Sequence, residues 1–145
     1  MKVYADNAAT TKTSRTAIEA MLPYFDGIYG NPSSLHTAGQ EAAEALWHAR
    51  EVMASNLGCE AKEIYFTSGG SEADNQAILS AAAIGAKKNK KHIVSTAFEH
   101  HAVLHTLEKL EKQGYEITLL DVHENGIVLP EEVAAAIRPD TCLVT

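Results

Sequence analysis

Only two cysteines, Cys59 and Cys142, occur in 145 residues. That excludes a disulfide framework and a cysteine-rich zinc site. Positive charge is also short: 12 Lys and Arg stand against 19 Asp and Glu, a net charge of −7. A chain with that balance does not hold nucleic acid by neutralising phosphates. The one basic run, Lys87-Lys88-Asn89-Lys90-Lys91, falls between a helical and a strand pattern and reads as a solvated loop. No apolar run reaches membrane length and no signal-peptide pattern opens the chain, so no membrane partner and a cytoplasmic location are expected. Against these absences, 46% hydrophobic and 21% charged residues describe a globular chain with material for one core.

Ser14 is placed to cap a helix from Arg15, with Ala17, Ile18, Met21, Leu22 and Phe25 at helical spacing and Pro23 to kink or end it. The stretch from Gly27 to Gly39 is loop by composition and long for a connector. A helix over Thr37–Leu57 has one apolar face through Ala38, Ala42, Ala45, Leu46, Ala49, Val52 and Met53, with Trp47 packing beside it, and Gly58 as its left-handed stop. Ile64, Tyr65 and Phe66 suit a short buried strand. An alanine-rich helix follows to about Ala86, with Ala73, Ala77 and Ala81 allowing close approach to a sheet. Strand patterns then cover 92–97, 115–120 and 141–145. Helical patterns with Val103, Leu104, Leu107 and Leu110 inward, and from Pro130 to Ile137, separate them. Alternation of this kind predicts an α/β fold, a mostly parallel sheet with flanking helices. In such sheets ligands bind beyond the carboxyl ends of the strands.

Two stretches fall at such ends. The first is Thr67-Ser68-Gly69-Gly70-Ser71-Glu72, a glycine turn opening a helix. The first amides of a helix have no partner within it and its dipole is positive there, so a phosphate is its usual guest. Ser68 and Ser71 add hydroxyls in reach of the same anion. On spacing alone the turn is equally a plain strand-to-helix junction with Ser71 as N-cap. The second stretch is Glu99-His100, after the strand at 92–97. An imidazole beside an anion site can stack on a flat heteroaromatic ring and carry a proton near neutral pH. A metal reading exists for His101 and His105, four apart on a helix, but no third ligand accompanies them and no metal is expected.

Four motifs, in order, carry a resemblance: Tyr4-Ala5-Asp6-Asn7-Ala8-Ala9-Thr10-Thr11; Gly30-Asn31-Pro32-Ser33-Ser34 with His36; Thr67 through Asn75; and Glu99-His100-His101-Ala102-Val103. Together they resemble the N-terminal portion of cysteine desulfurases of the NifS/IscS type, in the class V branch of fold-type I pyridoxal-phosphate enzymes. The resemblance implies pyridoxal 5′-phosphate as cofactor. Gly70 and Ser71 would hold its phosphate, and His100 would lie over its ring and assist proton transfer. Segments 6–11 and 31–36 would line the mouth of the site. It implies L-cysteine as substrate, a protein persulfide and alanine as products, sulfur-acceptor or scaffold proteins as partners, and a homodimer. Residues 1–35 would be an N-terminal arm, helix and loop, and 36–145 the beginning of the large cofactor-binding domain. The family's Schiff-base lysine, ring-nitrogen aspartate and nucleophilic cysteine would lie beyond Thr145. Neither Cys59 nor Cys142 sits in such a context, so the 145 residues alone are expected to be inactive. Another class V enzyme (an aminotransferase or selenocysteine lyase) and a non-catalytic dimerisation or partner-binding fragment are the alternatives.

Overall fold

The computed structural model describes residues 1–145, which gather into two compact units, residues 1–65 and 66–145. The first unit is helical. Helix α1 (Arg15–Met21) starts where the Ser14 hydroxyl accepts from the Ala17 amide, and it stops before Pro23, which opens the short α2 (Pro23–Asp26). Helix α3 (Thr37–Leu57) is capped at its start by His36, whose Nδ1 accepts from the Gly39 amide, and at its end by Gly58 in the left-handed region (φ 71°). A single 3-10 turn, Ala61–Glu63, follows.

This unit buries little. In α3 only Gly39 and Ala54 are buried, while Leu46, Val52 and Met53 of the expected apolar face are exposed. Periodicity names the face that wants covering, but within this unit nothing is large enough to cover it. Trp47, expected to pack, is about half exposed, at 48%, and its indole N–H donates to Glu51. The expected strand at Ile64, Tyr65 and Phe66 is also absent. The segment carries no regular structure, Tyr65 and Phe66 are exposed, and no strand of the sheet pairs with it. β-branched and aromatic residues favour an extended backbone, but a strand exists only where a neighbour completes its ladder.

The second unit is an α/β layer. Strands β1 (His92–Thr96), β2 (Glu116–Leu120) and β3 (Thr141–Val144) form a parallel sheet in the order β2-β1-β3. Helices α4 (Gly70–Ala86) and α5 (His101–Glu111) pack together, with α4 also on β3 and α5 on β2, and α6 (Pro130–Ala136) packs on β2. The core joins Ile78 and Ala82 of α4, Ile93 of β1, and Val103, Leu107 and Leu110 of α5. Each fully buried aliphatic side chain of that size is worth about 1.5–3 kcal/mol. In α5 Val103, Leu107 and Leu110 are inward as their spacing predicts, but Leu104 is only partly buried and Thr106 is buried in its place. Helix α4 turns a different edge inward. Ile78, Ala82 and Gly85 are buried, and Ala73 and Ala77 are exposed. Ile78 carries more apolar area than any alanine, so its burial sets the helix's rotation.

Parallel sheets present no alternating wet face when both sides are covered, and β1 is buried from His92 to Ser95. His92 is the polar exception that the sheet satisfies. Its Nδ1 lies 2.7 Å from Thr141 Oγ1 and its Nε2 2.9 Å from Thr118 Oγ1, so one ring ties β1 to both neighbours. At the carboxyl end of β1, Thr96 donates to the Glu99 carboxylate at 2.9 Å, which fixes the turn leading to His100.

Candidate functional site

Residues 68–71 form a coil-to-helix junction, with Gly69 as N-cap and Gly70 and Ser71 as the first residues of α4. Gly69 makes no side-chain cap, and it is extended (φ 163°). Neither glycine is demanded by the fold itself: a Cβ on either would meet nothing within 4 Å, and neither has a left-handed backbone. Bare backbone facing open space is what a close-approaching anion needs.

The two serines divide their labour. The Ser68 amide and hydroxyl both donate to one oxygen of Glu72, at 2.6 and 2.7 Å. Those donors hold the Glu72 carboxyl below its usual range. Ser68 is therefore committed to closing the turn, and the expectation that its hydroxyl reaches an anion is corrected. Because Glu72 is satisfied by Ser68, its carboxylate does not take up the first-turn amides of Gly70 and Ser71. The helix has no carbonyl of its own for them.

His100 stands at the start of α5 as its N-cap, its Nδ1 accepting from the Ala102 amide at 3.1 Å. With Nδ1 occupied as an acceptor, the neutral ring carries its proton on Nε2.

The structure brings Ser71 and His100 into one open cavity of about 360 Å3. Its other walls include Asn75, Thr106, His101, His105 and Lys109. Every titratable side chain in that lining is basic, and two helices begin at it, an arrangement suited to an anion. The His101 and His105 rings stack at 5.1 Å, but no group of three or more possible metal ligands is gathered anywhere in the chain.

Asn75, which the sequence marks only by its place in a motif, links the two helix starts. Its Nδ2 donates to Ser71 O at 2.8 Å and to Ala102 O at 3.3 Å, and its Oδ1 accepts from Thr106 Oγ1 at 2.7 Å. A polar amide one turn beyond Ser71 on the same helix is the only local signal for it.

Cys142, in β3, donates its thiol to His92 O at 3.3 Å, and burial pushes that thiol's pKa up. Cys59 is exposed beyond the Gly58 cap. No helix is long and apolar enough to cross a membrane.

Comparison with known proteins follows the same lines. The aminotransferase class-V family pattern matches residues 3–145. A cysteine desulfurase IscS of Methanosarcina thermophila is 49% identical over 143 residues, which are 99% of this chain and 35% of that protein. The solved structure of a NifS-like protein superposes with a TM-score of 0.94 at 38% identity, covering 99% of this chain and 39% of its own. That of SspA in complex with cysteine superposes with a TM-score of 0.86 at 35% identity, covering 94% and 39%. The chain thus spans between a third and two-fifths of the length of these relatives.

Proposed function

The chain belongs to the aminotransferase class-V family, and from that premise we propose that it is the N-terminal part of a pyridoxal 5′-phosphate-dependent cysteine desulfurase. The reaction takes L-cysteine and an enzyme thiol to L-alanine and an enzyme persulfide. The observation that carries the reading is the basic-lined cavity in which Ser71, at the start of α4, meets His100, at the start of α5. The desulfurase names of the relatives, and the neighbour solved with cysteine, support the substrate.

The residues present fit the cofactor's phosphate. The open backbone at Gly70 and the amide and hydroxyl of Ser71 would hold it, beside the positive end of α4. Bound there, the cofactor supplies an electron sink for the bonds at the substrate's α-carbon. His100 would flank its ring. The Ala102 amide fixes one side of the imidazole, leaving Nε2 as the atom that gives or takes a proton. The cofactor-bearing lysine and the sulfur-attacking cysteine are assigned to the larger part of the family protein that this chain does not span. Cys142 is unsuited to the second role, since burial disfavours its thiolate. In the same reading residues 1–35 are an N-terminal arm and residues 36–145 the start of the large domain. The whole protein is a cytoplasmic homodimer that passes sulfur to acceptor or scaffold proteins for iron–sulfur clusters or thio-cofactors.

The test is turnover by the whole gene product with L-cysteine and a reductant, following alanine and sulfide together. His100→Gln is expected to lower kcat by about 10²–10⁴, and Ser71→Ala to weaken cofactor retention. Full turnover by the His100 variant, or transamination without sulfide, would overturn the reading.

A further inference from the structure

No hydrogen bond joins Ser71 to His100 directly, yet the proposed site needs them in fixed relation. One side chain connects them. Asn75 sits one turn into α4 and uses the two hydrogens of its amide nitrogen on Ser71 O and Ala102 O. Ala102 is the residue whose own amide holds the His100 ring. Thr106, buried in α5, completes the link: its hydroxyl lies 2.7 Å from Asn75 Oδ1 and 2.8 Å from Ala102 O. A hydroxyl has a single proton, so it is shared between these two acceptors. The amide's orientation follows from chemistry. Turned over, its oxygen would face two carbonyl oxygens, and both contacts would be repulsive.

We propose that Asn75, locked by Thr106, is the positioning residue of the phosphate site, setting the start of α4 against the start of α5 so that one ligand meets both Ser71 and His100. This rests on the reading of the cavity given above. A chain of partly buried hydrogen bonds is suited to the task, because its two bonds between the helices, Asn75 Nδ2 to Ala102 O and Thr106 Oγ1 to Asn75 Oδ1, form only when both helices are in register. Two helices packed through apolar side chains alone can slide by small amounts with little penalty, and catalytic and binding geometry is sensitive to displacements of that size.

The test compares pyridoxine 5′-phosphate with pyridoxine as ligands of the whole gene product, freed of its cofactor, by calorimetric titration. Neither has an aldehyde, so both bind without reacting with lysine. Thr106→Val keeps the shape and removes the proton. It is expected to weaken the phosphorylated ligand about five- to tenfold and to leave the weak binding of pyridoxine unchanged. Thr106→Ser is expected to stay within about twofold of the parent. A loss shared equally by both ligands marks a merely structural role and overturns the inference, as does parent-like affinity in Thr106→Val. Should that variant fail to fold by circular dichroism, Asn75→Ser carries the same comparison. Ser71→Ala separates the two readings. If it leaves the phosphorylated ligand's affinity intact, or the parent protein shows no saturable binding, the phosphate site itself is wrong and this inference falls with it. If Ser71→Ala weakens binding and Thr106→Val does not, only the positioning role falls.

Discussion

Gly85 and Cys142 meet with no room between them: a Cβ placed on Gly85 would lie 2.3 Å from the Cβ of Cys142 and 2.9 Å from its sulfur. The backbone oxygen of Lys90 closes a third side at 2.9 Å. The glycine thus sets how closely α4 lies on β3. Gly85→Ala gains helix propensity of about 1 kcal/mol at most. It meets backbone and a strand-borne Cβ rather than a flexible side-chain end. Overpacking of that kind costs about 1–3 kcal/mol, so a lower urea midpoint with an unchanged m-value is expected. A midpoint equal to the parent's would mean that α4 can lift from the sheet freely.

The same packing separates the two thiols. Cys59 is exposed, while Cys142 is partly buried, bonded to His92 O, and held toward the thiol form by desolvation. Iodoacetamide at mild alkaline pH is expected to label Cys59 first, with Cys142 lagging until denaturant is added. Mass spectrometry of the two cysteine peptides checks this, and equal rates would contradict the packing.

Arg138 ties the approach to β3 to the start of β2. Its terminal nitrogens each donate to one oxygen of Glu116, and its Nε and one terminal nitrogen donate to Asp140 at 3.1 Å. Hydrogen bonds from Arg138 hold both carboxyls below their ordinary values. A carboxyl lowered on folding contributes stability that is present above its unfolded pKa and is lost as pH falls through the folded one. The parent's advantage over Arg138→Met is therefore expected in full at pH 6–7 and to shrink below about pH 4. Thermal melts across that range read it, and an advantage that persists at pH 2 would rule the linkage out. The groups are solvent-exposed, so added salt should reduce the effect.

Ser95 is buried in the centre of β1, and its hydroxyl has no partner. Removing an unsatisfied buried hydroxyl removes a desolvation penalty. Ser95→Ala is expected to leave stability unchanged or raise it by about 1 kcal/mol. A loss larger than that, by chemical denaturation, would reveal a partner for the hydroxyl.

What the sequence disclosed was local. Ser14, Pro23 and Gly58 mark their helix ends because caps and breakers act within a turn of themselves. The strands at 92–96, 116–120 and 141–144 followed from apolar runs bounded by turns. What stayed hidden depended on distant residues. The segment at Ile64 has strand chemistry but is not paired into the sheet. The rotation of α4 is decided by Ile78 against a sheet whose strands come later in the chain. His100 was recognisable as an end-of-strand feature and Ser71 as part of a glycine turn opening a helix, although no strand precedes that turn. The side chain linking them was not, because Asn75 bonds residues 27 and 31 positions away and nothing within a turn of it announces that.

The strand order has a bearing on how the chain is made. The middle strand, β1, is the first of the three to leave a ribosome, so β2 and β3 each arrive after the surface they dock on. His92 pairs in register with Glu116 and then with Thr141, so the sheet can grow outward on both sides in step with synthesis, without waiting for a later strand to be inserted between two others. At about 5–20 residues per second, the first pairing has one to several seconds to settle before the second is possible. During that interval the His92 ring can bond only to Thr118, and its other nitrogen waits for Thr141. A nascent chain arrested once β2 has cleared the exit tunnel should already protect the β1 amides bonded to β2 from hydrogen exchange. Unprotected amides there would mean that the third strand is needed to set the first two.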